Sequence, residues 1–374
     1  MFGYRLARRE NPLPGGQLVA FLAGLIGALI IGAVLLIATG FSPIEIYVEM
    51  ADSAFGDAQG ISNTLTQAVP LGLAGLAVAV AGSMGLWNIG AEGQIIAGAI
   101  AGTWVARLGP DLPGPMLIVI MLIAAVVGGG LLALGPAIAR AHLGVNEIIT
   151  TLMLNEIALR LVRYLVNGPW QDPTAVGFPV APVLPDQAEL PTLFSRANIG
   201  VLIAAAVLIV FGVFASRSKW GFELRIAGSS AEAAKYVGIS LQTKIMTVLI
   251  LSGSIAGLAG GIRLNSSDRI VEGIAEGWGF AGIIVAALAL MRPSGVALVA
   301  IAFGALRVGG AAIKTQGVSD SISEIIQALV LMGALGAAVF TTYTLTRGAT
   351  GLPTASAVAS TDASDAADAE EVAP

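Results

Sequence analysis

Apolar runs about as long as a helix needs to cross a bilayer recur through this chain, and they limit its fold more than any other feature. Gln17–Thr39 is the clearest: it contains no charged residue, and roughly 20 apolar residues span a hydrocarbon core. Further runs lie near 65–86, 88–106, 116–139, 145–166, 198–215, 244–263, 279–291, 294–312 and 322–343. The run at 279–291 is short, so its helix is expected to begin inside the preceding loop. Only 11% of the 374 residues are charged, against about 25% in soluble domains. That charge is too little to cover a soluble surface. The expected fold class is therefore an all-α membrane protein with about ten transmembrane helices. Arg5, Arg8 and Arg9 precede the first run, as in a secretory signal. The apolar stretch is too long for a signal core, however, so an uncleaved first span is expected.

The basic residues give an orientation, because cytoplasmic loops accumulate Lys and Arg. With the N-terminus inside, 11 of the 19 basic residues fall in cytoplasmic segments, five in outer loops and three within spans. Both termini are then cytoplasmic. This divides the chain into a cytoplasmic segment at 1–16, a transmembrane domain at 17–345 and a tail at 346–374. An outer loop covers about 167–197 and an inner loop about 216–243. The tail carries Asp362, Asp365, Asp368, Glu370 and Glu371 and no basic residue beyond Arg347, which accounts for the net charge of -5. It has few large apolar residues and is expected to be disordered.

Composition excludes several kinds of chemistry. There is no Cys and a single His, His142, so thiol catalysis, Cys-ligated metals and a multi-His metal site are excluded. No basic stripe exists to bind nucleic acid. No Lys follows a Gly, so the chain has no phosphate loop of the G-x-x-x-x-G-K-[ST] type. If ATP drives this protein, a partner binds it. Glu92, Glu147 and Glu156 are the acidic residues that read as membrane-embedded, too few to build a convincing proton relay. Ionisable groups at such depth are functional candidates. The stretch Leu86–Gln94 is polar and Gly-flanked between two apolar runs. It reads either as a tight turn or as a non-helical break lining a cavity. Glu156 and Arg160 are spaced i,i+4 in the favourable order, which predicts an internal ion pair, or else a polar face along a solute route. Gly253, Gly257 and Gly261, with Gly98 and Gly102, form small-residue faces that let helices pack closely.

The inner loop is the most specific segment. Ser229 or Ser230 can cap a short helix running to Val237, with Gly238 as its stop. The run Gly221…Arg225…Gly228…Glu232-Ala233-Ala234…Gly238-Ile239 resembles the coupling loop of permease subunits of bacterial ATP-binding-cassette importers. The branch is the one that serves branched-chain amino acids, ribose-type sugars and nucleosides. Trp87–Gln94, Gly144–Asn155 and Gly277–Ile283 resemble its nucleoside-type members. Glu156 departs from the uncharged aromatic residue expected there.

The resemblance implies the compact ten-helix architecture of vitamin B12-type importer permeases, in a bacterial inner membrane. It implies three protein partners: a second homologous permease, cytoplasmic ATPase subunits holding ATP and magnesium, and an extracytoplasmic substrate-binding lipoprotein. The chain itself would hold no cofactor and catalyse no reaction. Asn88, Glu92, Gln94, Asn146 and Asn155 are the expected pathway residues. Glu223, Arg225, Gly228, Glu232, Ala233, Ala234 and Gly238 are expected to couple to the ATPase. Nucleoside import is the function implied, with sugar or branched-chain amino acid import as the nearest alternative. A proton-coupled secondary transporter and a non-transporting scaffold are further ones.

Overall fold

The computed structural model describes residues 4–8, 16–109, 111–175 and 177–347. The expected acidic tail therefore lies almost wholly outside the described residues. Helices dominate: α1 (Gly16–Ala38), α2 (Pro43–Phe55), α3 (Ala58–Gly82), α4 (Ala91–Leu108), α5 (Gly114–Leu143), α6 (Glu147–Asn167), α7 (Gly200–Arg217), α8 (Lys219–Ser229), α9 (Ala231–Tyr236), α10 (Leu241–Ser267), α11 (Trp278–Leu288), α12 (Pro293–Thr315) and α13 (Asp320–Thr342). Two small antiparallel strand pairs accompany them. β1 (Tyr4–Arg8) pairs with β4 (Tyr343–Arg347), and β2 (Thr192–Phe194) with β3 (Ala197–Asn198). The first pair brings the two ends of the described chain together at one end of the bundle.

Each of the ten apolar runs coincides with a helix. Length and composition alone qualify α3, α5, α7, α10 and α12 as crossings. The pair α1–α2 qualifies jointly, although it is bent by 118°. The bend has a local cause. Gly40 takes a left-handed φ of +87°, a conformation that suits a residue without Cβ, and Pro43 then opens α2 at a position where its missing N–H costs nothing. The sequence reading missed α2, since 13 residues are too few for a span. At 11 residues α11 is short, as expected.

The core forms around α3, α4, α5 and α10, and glycine sets its spacing. A Cβ on Gly98 would lie 2.2 Å from the Gly257 carbonyl oxygen, and one on Gly129 would lie 2.6 Å from the Gly257 Cα. Three helix backbones thus touch at one level, as the small-residue pattern predicts. Leu71, Leu73, Leu76, Ile95, Leu117, Met121 and Leu249 fill the space around these contacts and are fully buried. α12 packs across α3 through Gly304, where an added Cβ would meet the Thr64 carbonyl oxygen at 2.5 Å.

Candidate functional site

The polar break between α3 and α4 is built as a closed knot. Asn88 is buried, and its Nδ2 donates to Gln94 Oε1 and to Ser252 Oγ, both at 2.7 Å. Asn88 Oδ1 accepts from the Gly90 amide at 3.0 Å and from Gln94 Nε2 at 3.1 Å. Ser252, on α10, passes its own hydrogen to the Ala77 carbonyl of α3 at 2.5 Å. Asn155, on α6, accepts from the Gly93 amide at 2.8 Å and donates to the Ile89 carbonyl at 2.9 Å. The amide side chains of Asn88 and Asn155 supply the partners that the non-helical backbone at 88–90 and the first turn of α4 would otherwise lack in an apolar setting. Gly93 allows this, since a Cβ there would lie 2.8 Å from Asn155 Oδ1.

Glu92 faces the other way. Its Oε1 accepts the Gly277 amide at 2.8 Å and its Oε2 the Gly279 amide at 2.7 Å. A carboxylate from α4 therefore caps the start of α11, where N–H groups lack intrahelical partners and the helix dipole favours negative charge. Two of the sequence motifs, Trp87–Gln94 and Gly277–Ile283, meet at this cap. Beside it the Trp278 ring is fully buried, with the Arg307 guanidinium 4.0 Å and the Arg263 guanidinium 5.7 Å from its centre. Glu276 bridges both arginines, at 3.2 Å and 3.4 Å. Asn146, the fifth expected pathway residue, caps α6 by accepting from the Ile148 amide at 2.9 Å. Glu147 is buried next to it. It binds the Trp87 amide at 3.2 Å and pairs with Arg140 at 3.2 Å.

α6 departs from expectation. Its buried face is Glu147, Thr151, Asn155, Ala158, Val162 and Val166. Glu156, Arg160, Arg163 and Asn167 form a stripe on its exposed side. The Glu156–Arg160 ion pair that the i,i+4 spacing predicts is not formed among the described residues. Arg163 instead pairs with Glu272 of the loop before α11. Both side chains of the expected pair point away from the bundle, so the helix interior gives neither a reason to close on the other.

The inner loop folds as two capped helices anchored to the bundle. Ser218 caps α8 at the Gly221 amide, and Ser230 caps α9 at the Ala233 amide. Gly238 ends the second with φ +78°, as its stop position requires. Gly221 packs against the backbone of Ala215, and Gly228 against that of Ser83 at the end of α3. Glu223 pairs with Lys244 of α10 and, at 3.8 Å, with Lys219. The Lys244 hydrogen bond holds the Glu223 carboxyl below its usual range. Arg225 donates to the Ala215 carbonyl at 2.8 Å. These contacts make Glu223, Arg225 and Gly228 anchors of the loop. Phe222 and Arg225 of α8 stay exposed, and on α9 Glu232, Ala233 and Tyr236 face outward while Ala234 is fully buried. The two alanines thus differ: one faces outward and the other faces the bundle. Tyr236, 93% exposed, went unnoticed in the sequence, although a large aromatic residue in a short loop helix was the available signal.

Comparison with known proteins places this arrangement. The pattern of the family described as "Branched-chain amino acid transport system / permease component" matches residues 60–335. The glucose ABC transporter permease protein TsgB13 of Haloferax volcanii is 37% identical over 85% of this chain and 87% of its own. The guanosine ABC transporter permease protein NupP of Bacillus subtilis is 34% identical over 84% of this chain and 92% of its own. The nucleoside ABC transporter permease protein NupB of Lactococcus lactis is 30% identical over 83% and 88%. ATP hydrolysis in such a transporter is carried by a partner subunit. This multi-pass membrane chain belongs to the family of branched-chain amino acid transport system permease components.

Proposed function

We propose that this chain is the nucleoside-conducting permease subunit of an ATP-driven importer. It would cross the membrane ten times with both ends in the cytoplasm and pair with a second, homologous permease. Cytoplasmic ATPase subunits would dock on α9, and an extracytoplasmic lipoprotein would deliver the solute.

The observation that carries this reading is the exposed stripe Glu156, Arg160 and Arg163 on α6. Charged groups in an apolar helix are costly against lipid, so the stripe fits a water-filled route between two permease subunits. In this proposal Asn88, Glu92, Gln94, Asn146 and Asn155 shape the wall of that route by fixing the break and the ends of α6 and α11. Their polar atoms are engaged by protein, so the solute would meet α6 instead. The i,i+4 carboxylate and guanidinium can accept from and donate to ribose hydroxyls and base edges.

The test uses the natural absence of Cys. Single cysteines at 156 and 160 should react with a membrane-impermeant thiol reagent in the assembled transporter, and the reaction should block ATP-dependent guanosine uptake into vesicles. Cysteines that stay unreactive, or that react without affecting uptake, would remove the route from α6. Sugar import is the second reading, favoured by the 37% identity to a glucose permease. Guanosine and glucose uptake measured side by side separates the two.

A further inference from the structure

A polar cavity lies at the opposite end of the bundle from α8 and α9. α10 begins at Leu241 beside α9, and its last turn, around Asn265 and Ser266, forms part of the cavity wall. Its 27 residues separate the two places by about 40 Å. The cavity holds about 790 Å³ between α3, α10, α12 and the β2–β3 turn, within the usual range for small-molecule sites. It is lined by this chain alone, open on one side, and is separate from the exposed stripe of α6.

Three features give it a chemical character. First, Asn63 and Gln67 stand one turn apart on α3, both half-buried and both in the wall. Neither side-chain amide makes a hydrogen bond among the described residues, in a bundle where Asn88, Gln94 and Asn155 are all satisfied. Arg263, also in the wall, has a buried Nε without a partner. Second, charges of both signs stand at the wall. Arg263 shares Glu276 with Arg307, and Arg196 stands in the wall with Asp268. Third, among the described residues no aromatic ring lines the cavity, so a nucleobase finds nothing there to stack on. Pro70, Val308 and Ala311 supply a small apolar patch that suits the C–H face of a sugar ring.

We infer that this cavity is a second solute site, for a polyhydroxylated molecule of sugar size, held by the Asn63 and Gln67 amides and the Arg263 guanidinium. The amides both donate and accept, as hydroxyl groups require. A nucleoside would enter by its ribose. The site does not depend on the route along α6.

The purified transporter, this chain with its partner permease and ATPase subunits but without the extracytoplasmic lipoprotein, is titrated in lipid nanodiscs with tritiated D-glucose. Saturable binding is expected, displaced by unlabelled D-ribose and not by free guanine. The double variant Asn63→Leu/Gln67→Leu should weaken binding about tenfold or more through lost hydrogen bonds. Ala311→Trp, which fills the cavity from α12 without removing a polar group, should weaken it equally. Absence of saturable binding to monodisperse protein, binding undisturbed by both variants, or displacement by guanine as effective as by ribose would each overturn the inference. Failure of the thiol test on α6 with sugar binding intact would remove the proposed route and leave this site. Normal uptake without sugar binding would do the reverse.

Discussion

Glu92→Gln replaces one carboxylate oxygen by an NH2 group and removes the charge. In the wild type each oxygen accepts one amide hydrogen, from Gly277 at 2.8 Å and Gly279 at 2.7 Å. The glutamine can satisfy one of these and must oppose its own N–H to the other. Hydrogen bonds to a charged group contribute about 1.5–3 kcal/mol each, and the charge at a helix start about 0.3–1 kcal/mol more. One lost bond, one donor facing a donor and the lost charge together cost about 2–4 kcal/mol. At about 2–4 °C per kcal/mol in a mid-sized domain, the apparent Tm should fall by roughly 4–16 °C. Glu92→Asp keeps the charge but shortens the reach, so it should fall between wild type and Gln. Thermal scanning of detergent-purified protein at one fixed rate checks the order wild type, Asp, Gln. A Gln variant as stable as wild type would mean that the carboxylate does not hold α11, and the two motifs would need another reason to meet.

Other expectations follow from the same contacts. Tyr236→Ala should reduce co-purification of the ATPase several-fold while leaving Tm within about 1 °C, since surface changes usually fall within ±0.5 kcal/mol; unchanged co-purification would remove α9 as the docking surface. Gly257→Leu should prevent assembly, because even a Cβ there would lie 2.3 Å from the Ala125 carbonyl oxygen and overpacking costs about 1–3 kcal/mol or more; normal yield in membranes would contradict the tight three-helix contact. The Glu223 carboxyl titrates below its ordinary value of 4.5 because of its Lys244 hydrogen bond, so its contribution is complete above that pH and fades as pH falls through the lowered value. Acidification from pH 5 to pH 3 should therefore destabilise wild type more than Glu223→Gln in a Tm-against-pH series, and parallel curves would contradict the anchoring.

The helices were legible in the sequence because spanning a bilayer demands length and apolarity, and both can be counted. All ten runs were found for that reason, and α2 was missed because a 13-residue helix folded back beside its neighbour needs neither. The caps were legible too: Ser230 and Gly238 stand where hydroxyl acceptance and positive φ are needed. The partners of polar groups were not legible. Glu156 and Arg160 have ideal helical spacing, yet spacing says nothing about which side of a helix is covered, and that side is open. Glu92 reaches a glycine amide 185 positions away, and Asn88 reaches Ser252 on α10. No local pattern encodes such pairings, so residues expected to face a solute instead hold the backbone.

Where α4, α5 and α10 touch at Gly98, Gly129 and Gly257, no side chains lie between them to rearrange. Sliding one helix past another would drive main-chain atoms into each other, whereas ordinary side-chain interfaces can switch rotamers and let helices shear. The centre of this subunit therefore transmits displacement as a solid body. A push on the anchored α8–α9 block passes through Lys244 and α10 to the far end without being absorbed on the way. Any change of access must then come from tilting the whole subunit or from moving elements outside this contact, such as α6 and α11, which makes the subunit a lever whose stiffness is set by three missing side chains.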